Sequence, residues 1–361
     1  MQSVESDGGR LGPLRRVLKS GCWLCRWQQA VWRVGLFGIA AGYVALACVV
    51  FFRPDPADGM GSVETALAWL SLMGTTFVPH AGVALVVWLA VLARAKAYKT
   101  IAVGVPLLVL SLGPWVWSFA PSRNVGPVAK GTMLVLSANL LGSSRSDVEL
   151  LEQIAAHEPE VIVLQEVQAA SLARLESALA GRYQVAAAPR EHLFGGAIFS
   201  RLPFTRAARI VYPTDGLDLP QIMVWVEFEG REVCVFDIHL LPPTGRTLVA
   251  GQATLSHELG PVLDEVFAEG VAAIVAGDFN SPWGGQPLKV LRTRGFREAH
   301  RSAGTGLGAT WPTRGVLSLP PGIRIDHVAF SPGMVCVEAW VGEATSSDHR
   351  PIFARLGWAR E

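Results

Sequence analysis

The chain has 361 residues, half of them apolar, and its 31 basic and 30 acidic side chains leave a net charge of +1. Length alone would allow two or three domains, but the charge divides: residues 1–130 carry 12 Lys and Arg against 5 Asp and Glu, whereas residues 131–361 carry 19 against 25. The acidic second part is poorly suited to non-specific DNA binding, which depends on neutralising phosphates with Lys and Arg, although a local basic groove stays compatible with it.

The first third reads as membrane. Residues 34–52 form an uncharged run of 19, residues 65–93 a run of 29 interrupted only by Pro79 and His80, and residues 100–120 a run of 21. About 20 helical residues cross a hydrocarbon core. Splitting the middle run at Pro79 would leave two pieces too short to span, so the expectation is three spans, the second a single tilted or kinked helix. Arg10, Arg15, Arg16, Lys19, Arg26 and Arg33 precede the first span, and Arg94, Lys96 and Lys99 fill the second loop. The positive-inside rule then puts the N-terminus in the cytoplasm and everything after Ala120 outside the cell membrane. The rival, a signal peptide cleaved near Ala45-Leu46-Ala47-Cys48, is disfavoured by two further spans. The expected organisation is a basic cytoplasmic segment at 1–33, a three-span region at 34–120, a linker at 121–130 and a catalytic domain at 131–361.

Cys22 and Cys25 form a CxxC without a second pair at zinc spacing, and read as incidental or lipidated cysteines. Cys234 and Cys336 lie on strand-like runs, where a disulfide is open but not assignable from sequence.

Beyond the linker, strands are predicted at 133–137, running into Asn139, and at 161–164, ending at Gln165-Glu166, with a helix between them over 147–157 stopped by Pro159. A helix at 169–180, a strand at 183–188 and the run 195–201 follow; Gly195 and Gly196 permit close backbone approach or a bulge. Residues 222–228 and 232–238 flank Gly230 as a hairpin ending at His239. A long helix at 248–268 leads to a strand before Gly277-Asp278-Phe279-Asn280. Further strands are expected at 324–330, 335–341 and 352–356, the last preceded by Ser347-Asp348-His349. Such runs in about 230 residues suggest two sheets packed face to face with helices outside, so the expected class is α/β (α+β), a four-layer αββα sandwich behind three transmembrane helices.

Polar residues recur at the strand ends: Asn139, Glu166, His239, Asp278, Asn280, Asp326, Asp348 and His349. Each alone fits a turn, a cap or a buried histidine. The ordered set, with Gln165-Glu166, Gly277-Asp278-Phe279-Asn280, Arg324-Ile325-Asp326 and Ser347-Asp348-His349, resembles the endonuclease/exonuclease/phosphatase superfamily over nearly all of residues 131–358. The resemblance implies a metal-dependent phosphoesterase. Glu166 offers Mg²⁺ (or Mn²⁺) a hard oxygen ligand, in a site of one or two ions, with Asn139 and Asp348 supporting it. Asp278 would orient or deprotonate the attacking water, and Asn280 would donate its amide to the nucleophile or a phosphoryl oxygen. His349, paired with Asp326, and His239 would contact the phosphate. His327, Arg324 and Arg350 read as packing or supporting residues.

Three spans before an outward-facing domain look like the membrane-bound teicoplanin-resistance proteins, which implies a lipid-linked phosphate such as undecaprenyl pyrophosphate and a role in antibiotic resistance. The bilayer would then confine enzyme and substrate to one surface. Trp283, Trp311 and Trp340 could form an apolar rim near it, although core packing is the commoner use of Trp. An extracytoplasmic endonuclease, a sphingomyelinase-like phosphodiesterase and a catalytically silent phosphate receptor are the competing readings.

Overall fold

The computed structural model describes residues 27, 30–45, 61–120, 126–142, 144–212, 218–319 and 322–360. Three apolar helices come first: α1 (Ala30–Ala45), α2 (Ser62–Arg94) and α3 (Tyr98–Trp117). Among the described residues, only α2 and α3 are long and apolar enough to cross a membrane, and that by length and composition. Of the three expected spans, two candidates are therefore found among the described residues: α1 overlaps the expected first span but is too short to count as a third, and residues 46–52 lie outside the described residues, as do Cys22, Cys25 and Cys48. Pro79 leaves α2 continuous over 33 residues. Only 11% and 22% of the apolar windows of α2 and α3 are buried, so neither resembles the core helix of a soluble protein.

The remainder is two six-stranded sheets. The strands are β1 (Val128–Asn139), β2 (Val161–Gln165), β3 (Gln184–Ala188), β4 (Gly196–Ser200), β5 (Arg209–Val211), β6 (Gln221–Phe228), β7 (Arg231–His239), β8 (Ala272–Asp278), β9 (Arg297–Glu298), β10 (Asp326–Phe330), β11 (Met334–Val341) and β12 (Ile352–Ala359). Their orders are β11-β12-β1-β2-β4-β3 and β5-β6-β7-β8-β10-β9. The central pairs β1·β2 and β7·β8 are parallel and every other pair is antiparallel.

The strands alternate between two apolar environments, which is why they read as continuous apolar runs. On β1, Met133 and Val135 enter the core between the sheets with Val235, Ile274 and Leu356. Leu134 and Leu136 point the other way, onto Leu150 and Ile154 of α4 (Ser144–His157) and Leu175 of α5 (Ala169–Leu179). On the second sheet, Cys234, Phe236 and Val275 pack against Leu255, Leu259 and Leu263 of α6 (Arg246–Ala268). Helix, sheet, sheet and helix are therefore the expected four layers.

Several expectations change. β1 begins at Val128, inside the expected linker, because Val128 pairs with Ala359 across a bulge. Cys234 and Cys336 are free and lie in different apolar layers, which rules out their disulfide. Trp340 stacks on Phe353, with ring centroids 4.9 Å apart, and Trp283 is buried against α6's cluster, so neither forms an exposed rim.

Candidate active site

The parallel pairs carry two chain segments to the same end of the sandwich, and register does the rest. Asn139 and Gln165 are partners at the end of β1·β2. On the facing sheet, Asp278 is paired with His239 on one side and Asp326 on the other. Gly277, with φ +144°, makes that packing possible, because a Cβ there would lie 1.9 Å from the Ile238 carbonyl oxygen. Gly195 and Gly196 also serve close approach, since Cβ atoms would meet the Val167 carbonyl and the Asp237 carboxylate.

Asn139 joins the sheets: its Nδ2 donates to Glu166 Oε1 and to Asp278 Oδ2, each at 3.0 Å. Its Oδ1 accepts from the Leu141 amide at 2.9 Å. Asp278 Oδ1 also accepts from the Asn280 amide at 2.8 Å. Asn280 Nδ2 donates to the Leu240 carbonyl at 2.8 Å and lies 3.4 Å from Asp278 Oδ2. Its amide is thus engaged within the protein and fixes the loop that carries Asp278's neighbours.

His349 Nδ1 sits 2.9 and 3.1 Å from the Asp326 oxygens, and its Nε2 is 3.7 Å from Asp278 Oδ2. Ser347 seats this segment by donating to the Asn139 carbonyl and accepting from the His349 amide. Burial opposes a charge on His349, but the Asp326 and Asp278 carboxylates outweigh it and hold the imidazole cationic, its pKa raised to about 10. His239 is the reverse case: burial first, then the His349 charge, push it down to about 3. The 3.6 Å approach of His239 Nε2 to Asp278 is therefore a contact of a neutral ring. Burial raises the pKa of Asp278, with His349 pulling the other way, and burial likewise raises Glu166 against the Asn139 hydrogen bond.

All eight residues expected from the sequence converge here. Among the described residues, Asp278, Asp326 and His349 form a buried His and carboxylate group whose candidate ligand atoms lie within 4.8 Å of one another. A cation does not fit best there, because an imidazolium bonded to Asp326 has no free lone pair. The oxygens that fit are Glu166 Oε2 and Asp348 Oδ1, buried acceptors without a hydrogen-bond partner. Two such oxygens are the donor set that a hard divalent ion takes. The other Asp348 oxygen accepts from Trp311 Nε1 at 3.0 Å, which accounts for Trp311 and orients the carboxylate.

The pattern that defines the endonuclease/exonuclease/phosphatase family matches residues 136–349, a span that contains every one of these residues. The chain belongs to the endonuclease/exonuclease/phosphatase family. Members of this family are typically metal-dependent phosphoesterase hydrolases, and the buried acidic and histidine cluster could bind a metal. Solved structures agree on the fold. Humanized D. rerio TDP2 is 17% identical with TM-score 0.52, over 63% of this chain and 100% of that one. An endonuclease/exonuclease/phosphatase from Beutenbergia cavernae is 24% identical with TM-score 0.52, over 64% and 72% of the two chains. One from Bacteroides vulgatus is 18% identical, again with TM-score 0.52, over 63% and 100%. No curated protein sequence matches the chain.

Sequence reasoning missed one part of this family site's support. Glu298 is buried at the end of β9, caps the short helix α7 (Ala299–Ala303) through the His300 and Arg301 amides, and lies 3.3 Å from Arg324 Nη2. Its Oε1 is 3.7 Å from His327 Nδ1, and His327 Nε2 donates to the Ser281 carbonyl at 3.0 Å, next to Asn280. Glu298 is 28 residues from Asp326 and ends a strand of only two residues, too short to be read from the sequence. A second hidden pair is Asp237 Oδ1 with Gln165 Nε2, at 2.8 Å between the sheets behind Glu166. His80, inside α2, contacts Phe77 edge-on.

Proposed function

We propose that the protein is a membrane-anchored hydrolase of a lipid-linked phosphate or pyrophosphate, such as undecaprenyl pyrophosphate, acting outside the cytoplasm. One observation supports this reading above others: the catalytic end of the sandwich is the end docked on the apolar helices. Trp69 of α2 donates to the Pro243 carbonyl at 3.1 Å, four residues beyond His239. Ala68 and Leu72 pack on Val249 of α6, and the Gly306 amide donates to the Ser118 carbonyl at 2.8 Å, just past α3. An enzyme held in this way works at the membrane surface, where a lipid phosphate is concentrated.

In the proposed chemistry Asp278, oriented by Asn139 and the Asn280 amide, accepts a proton as water adds to phosphorus and the phosphorus–oxygen bond to the leaving group breaks. His349, kept cationic by Asp326, faces the charge that accumulates on the phosphoryl oxygens, with His239 beside it. Glu166 and Asp348, with Asn139 supporting them, would hold a divalent ion. When bound, that ion neutralises charge on the phosphate; Mg²⁺ is the expected choice.

Nucleic acid is the second reading, favoured by a structure of D. rerio TDP2 complexed with single strand DNA product, which is 18% identical to this chain. Assaying the full chain with Mg²⁺ against undecaprenyl pyrophosphate, sphingomyelin and plasmid DNA separates the readings. Phosphate release from the first alone is expected, and DNA nicking without lipid phosphate release overturns the proposal. A phosphatase reporter fused after Ala120 should be active outside the cytoplasm; activity confined to the cytoplasm removes the lipid-carrier argument.

A further inference from the structure

Glu166 reaches the site through an unusual backbone. β2 buries Val161 and Val163 between the sheets and Ile162 and Leu164 against the helices, so a continued strand would send residue 166 to the helix side, away from Asp278. Glu166 instead takes φ +57°, in the left-handed region that long side chains seldom occupy. The turn brings its Oε1 to Asn139 Nδ2. Such a conformation persists where the surroundings over-determine it. Here the backbone is tied on both sides. The Gln165 carbonyl accepts from the Leu140 amide at 3.0 Å, the Val167 amide donates to the Gly195 carbonyl at 2.9 Å, and the Val167 carbonyl accepts from the Arg190 amide at 3.1 Å.

Those three bonds stay within the first sheet and its loops, and the Gln165 side chain adds a tie to the second. Its Nε2 donates to Asp237 Oδ1 at 2.8 Å. Gln165 follows Val163 on β2 and Asp237 follows Val235 on β7, each on the side that faces the other sheet. Asp237 lies there between its register partners Ile222 and Ala276, only 3% exposed, and Gln165 is fully buried. Gly196, the register partner of Gln165, makes room for the acid, because a Cβ there would collide with Asp237 Oδ2. Burial pushes Asp237 well above the usual carboxylate range, against the pull of the Gln165 hydrogen bond, so the pair is a neutral acid with an amide. The acid's hydroxyl is a donor, and Gln165 Oε1 is a buried acceptor without a partner. Such a pair adds little net stability over apolar side chains of the same shape. What it adds is direction.

We propose that Gln165 and Asp237 are positioning residues for the metal-binding carboxylate: their neutral pair anchors the residue before Glu166 to the facing sheet and holds the left-handed turn from which Glu166 presents its free Oε2. The inference rests on Glu166 holding the ion, and not on which phosphate is cleaved.

The test reads Mn²⁺ binding directly, from the loss of the free-ion EPR signal as the full-length protein in detergent is titrated. Asp237→Ala leaves Gln165 without its acceptor and should weaken Mn²⁺ binding about 10- to 100-fold, the usual cost of removing a group that orients a metal ligand. Asp237→Asn keeps a neutral partner of the same shape and should stay within about twofold of wild type. Gln165→Met with Asp237→Leu fills the layer with apolar atoms; it should keep the wild-type urea midpoint and still bind Mn²⁺ about tenfold or more weakly. A pair with a merely structural role would not separate stability from metal binding in this way. Wild-type Mn²⁺ affinity in Asp237→Ala or in the double variant overturns the inference, as does a loss in Asp237→Asn as large as that in Asp237→Ala. Should Asp237→Ala not fold, the other two variants decide, and a double variant that also fails to fold overturns the inference, since the pair would then serve the fold itself. Failure of the underlying assignment looks different: Glu166→Gln binding Mn²⁺ as tightly as wild type removes the ion from Glu166, whatever the Asp237 variants do.

Discussion

Removing the Glu298 carboxylate tests how the catalytic loop is held. Glu298 lies opposite Arg324, whose side chain is only 13% exposed, and Arg324 also donates to His300 Nδ1. Burial opposes ionisation of Glu298, but the Arg324 charge and His327 hold its pKa well below the usual carboxylate range. Glu298→Ala leaves Arg324 buried without its anion, a loss of about 3–5 kcal/mol for a broken buried pair. It also removes the acceptor for the His300 and Arg301 amides, about 0.5–2 kcal/mol for a helix cap. The sum, roughly 3.5–7 kcal/mol, is comparable to the whole stability of many domains, about 5–15 kcal/mol. Glu298→Gln keeps an acceptor for the cap and should lose less. Replacing the pair together, as Glu298→Leu with Arg324→Met, removes both charges and should recover most of the loss. Urea unfolding of the full chain in detergent, followed by Trp fluorescence, measures the series. Glu298→Ala within about 1 kcal/mol of wild type, or a double variant no better than the single, would refute the account of a coupled buried network.

Three other outcomes follow from the same structure. Gly277→Ala should abolish both activity and folded protein in detergent, since its Cβ would sit 1.9 Å from the Ile238 carbonyl oxygen at φ +144°; a folded, active variant seen by size-exclusion in detergent and phosphate release would contradict the register. Chelation by EDTA should abolish phosphate release, and added Mg²⁺ or Mn²⁺ should restore it, with Glu166→Gln needing more metal for half-maximal rate; undiminished turnover after chelation counts against the assignment of Glu166 and Asp348. Finally, burial and then the Arg324 charge depress His300 to about 4, below the ordinary value of 6.5, with Glu298 and His327 also facing the ring. Because the folded value is the lower one, the stability that neutral His300 contributes is full above about 6.5 and is lost as pH falls toward 4, with a slope of up to about 1.4 kcal/mol per pH unit. His300→Phe should flatten that part of a urea-midpoint profile; an unchanged slope would show that another group titrates there.

Legibility in the sequence followed chemistry that is local to a strand end. Asp278 and Asn280 could be read because Gly277 and the apolar run before them mark where a strand stops, Glu166 and His239 because each follows a similar run, and His349 because it stands just before one. The four layers were legible for a related reason: strands buried on both faces leave few polar residues, and the helices between them keep an amphipathic spacing. Glu298 was not legible, because its partners Arg324 and His327 lie across an antiparallel sheet and its burial depends on that pairing. Nor was the fate of Trp340, whose stack on Phe353 is fixed by the register of β11 against β12, or of residues 128–130, which a Pro- and Gly-rich stretch disguised as linker.

The sequence by itself thus determined the order of the elements, the identity of the polar residues at their ends and the presence of long apolar helices, because each is written in a contiguous stretch of side chains. Tertiary structure alone decided that Asn139 bridges the carboxylates of two sheets, that the Asp326 and Asp278 carboxylates favour charge on His349 while burial disfavours it on His239, and that α2 docks beside the catalytic end. Those outcomes depend on distances between residues far apart in the chain, 174 positions in the Trp69 to Pro243 hydrogen bond and 208 in the Ser347 to Asn139 one, and no local pattern encodes a distance.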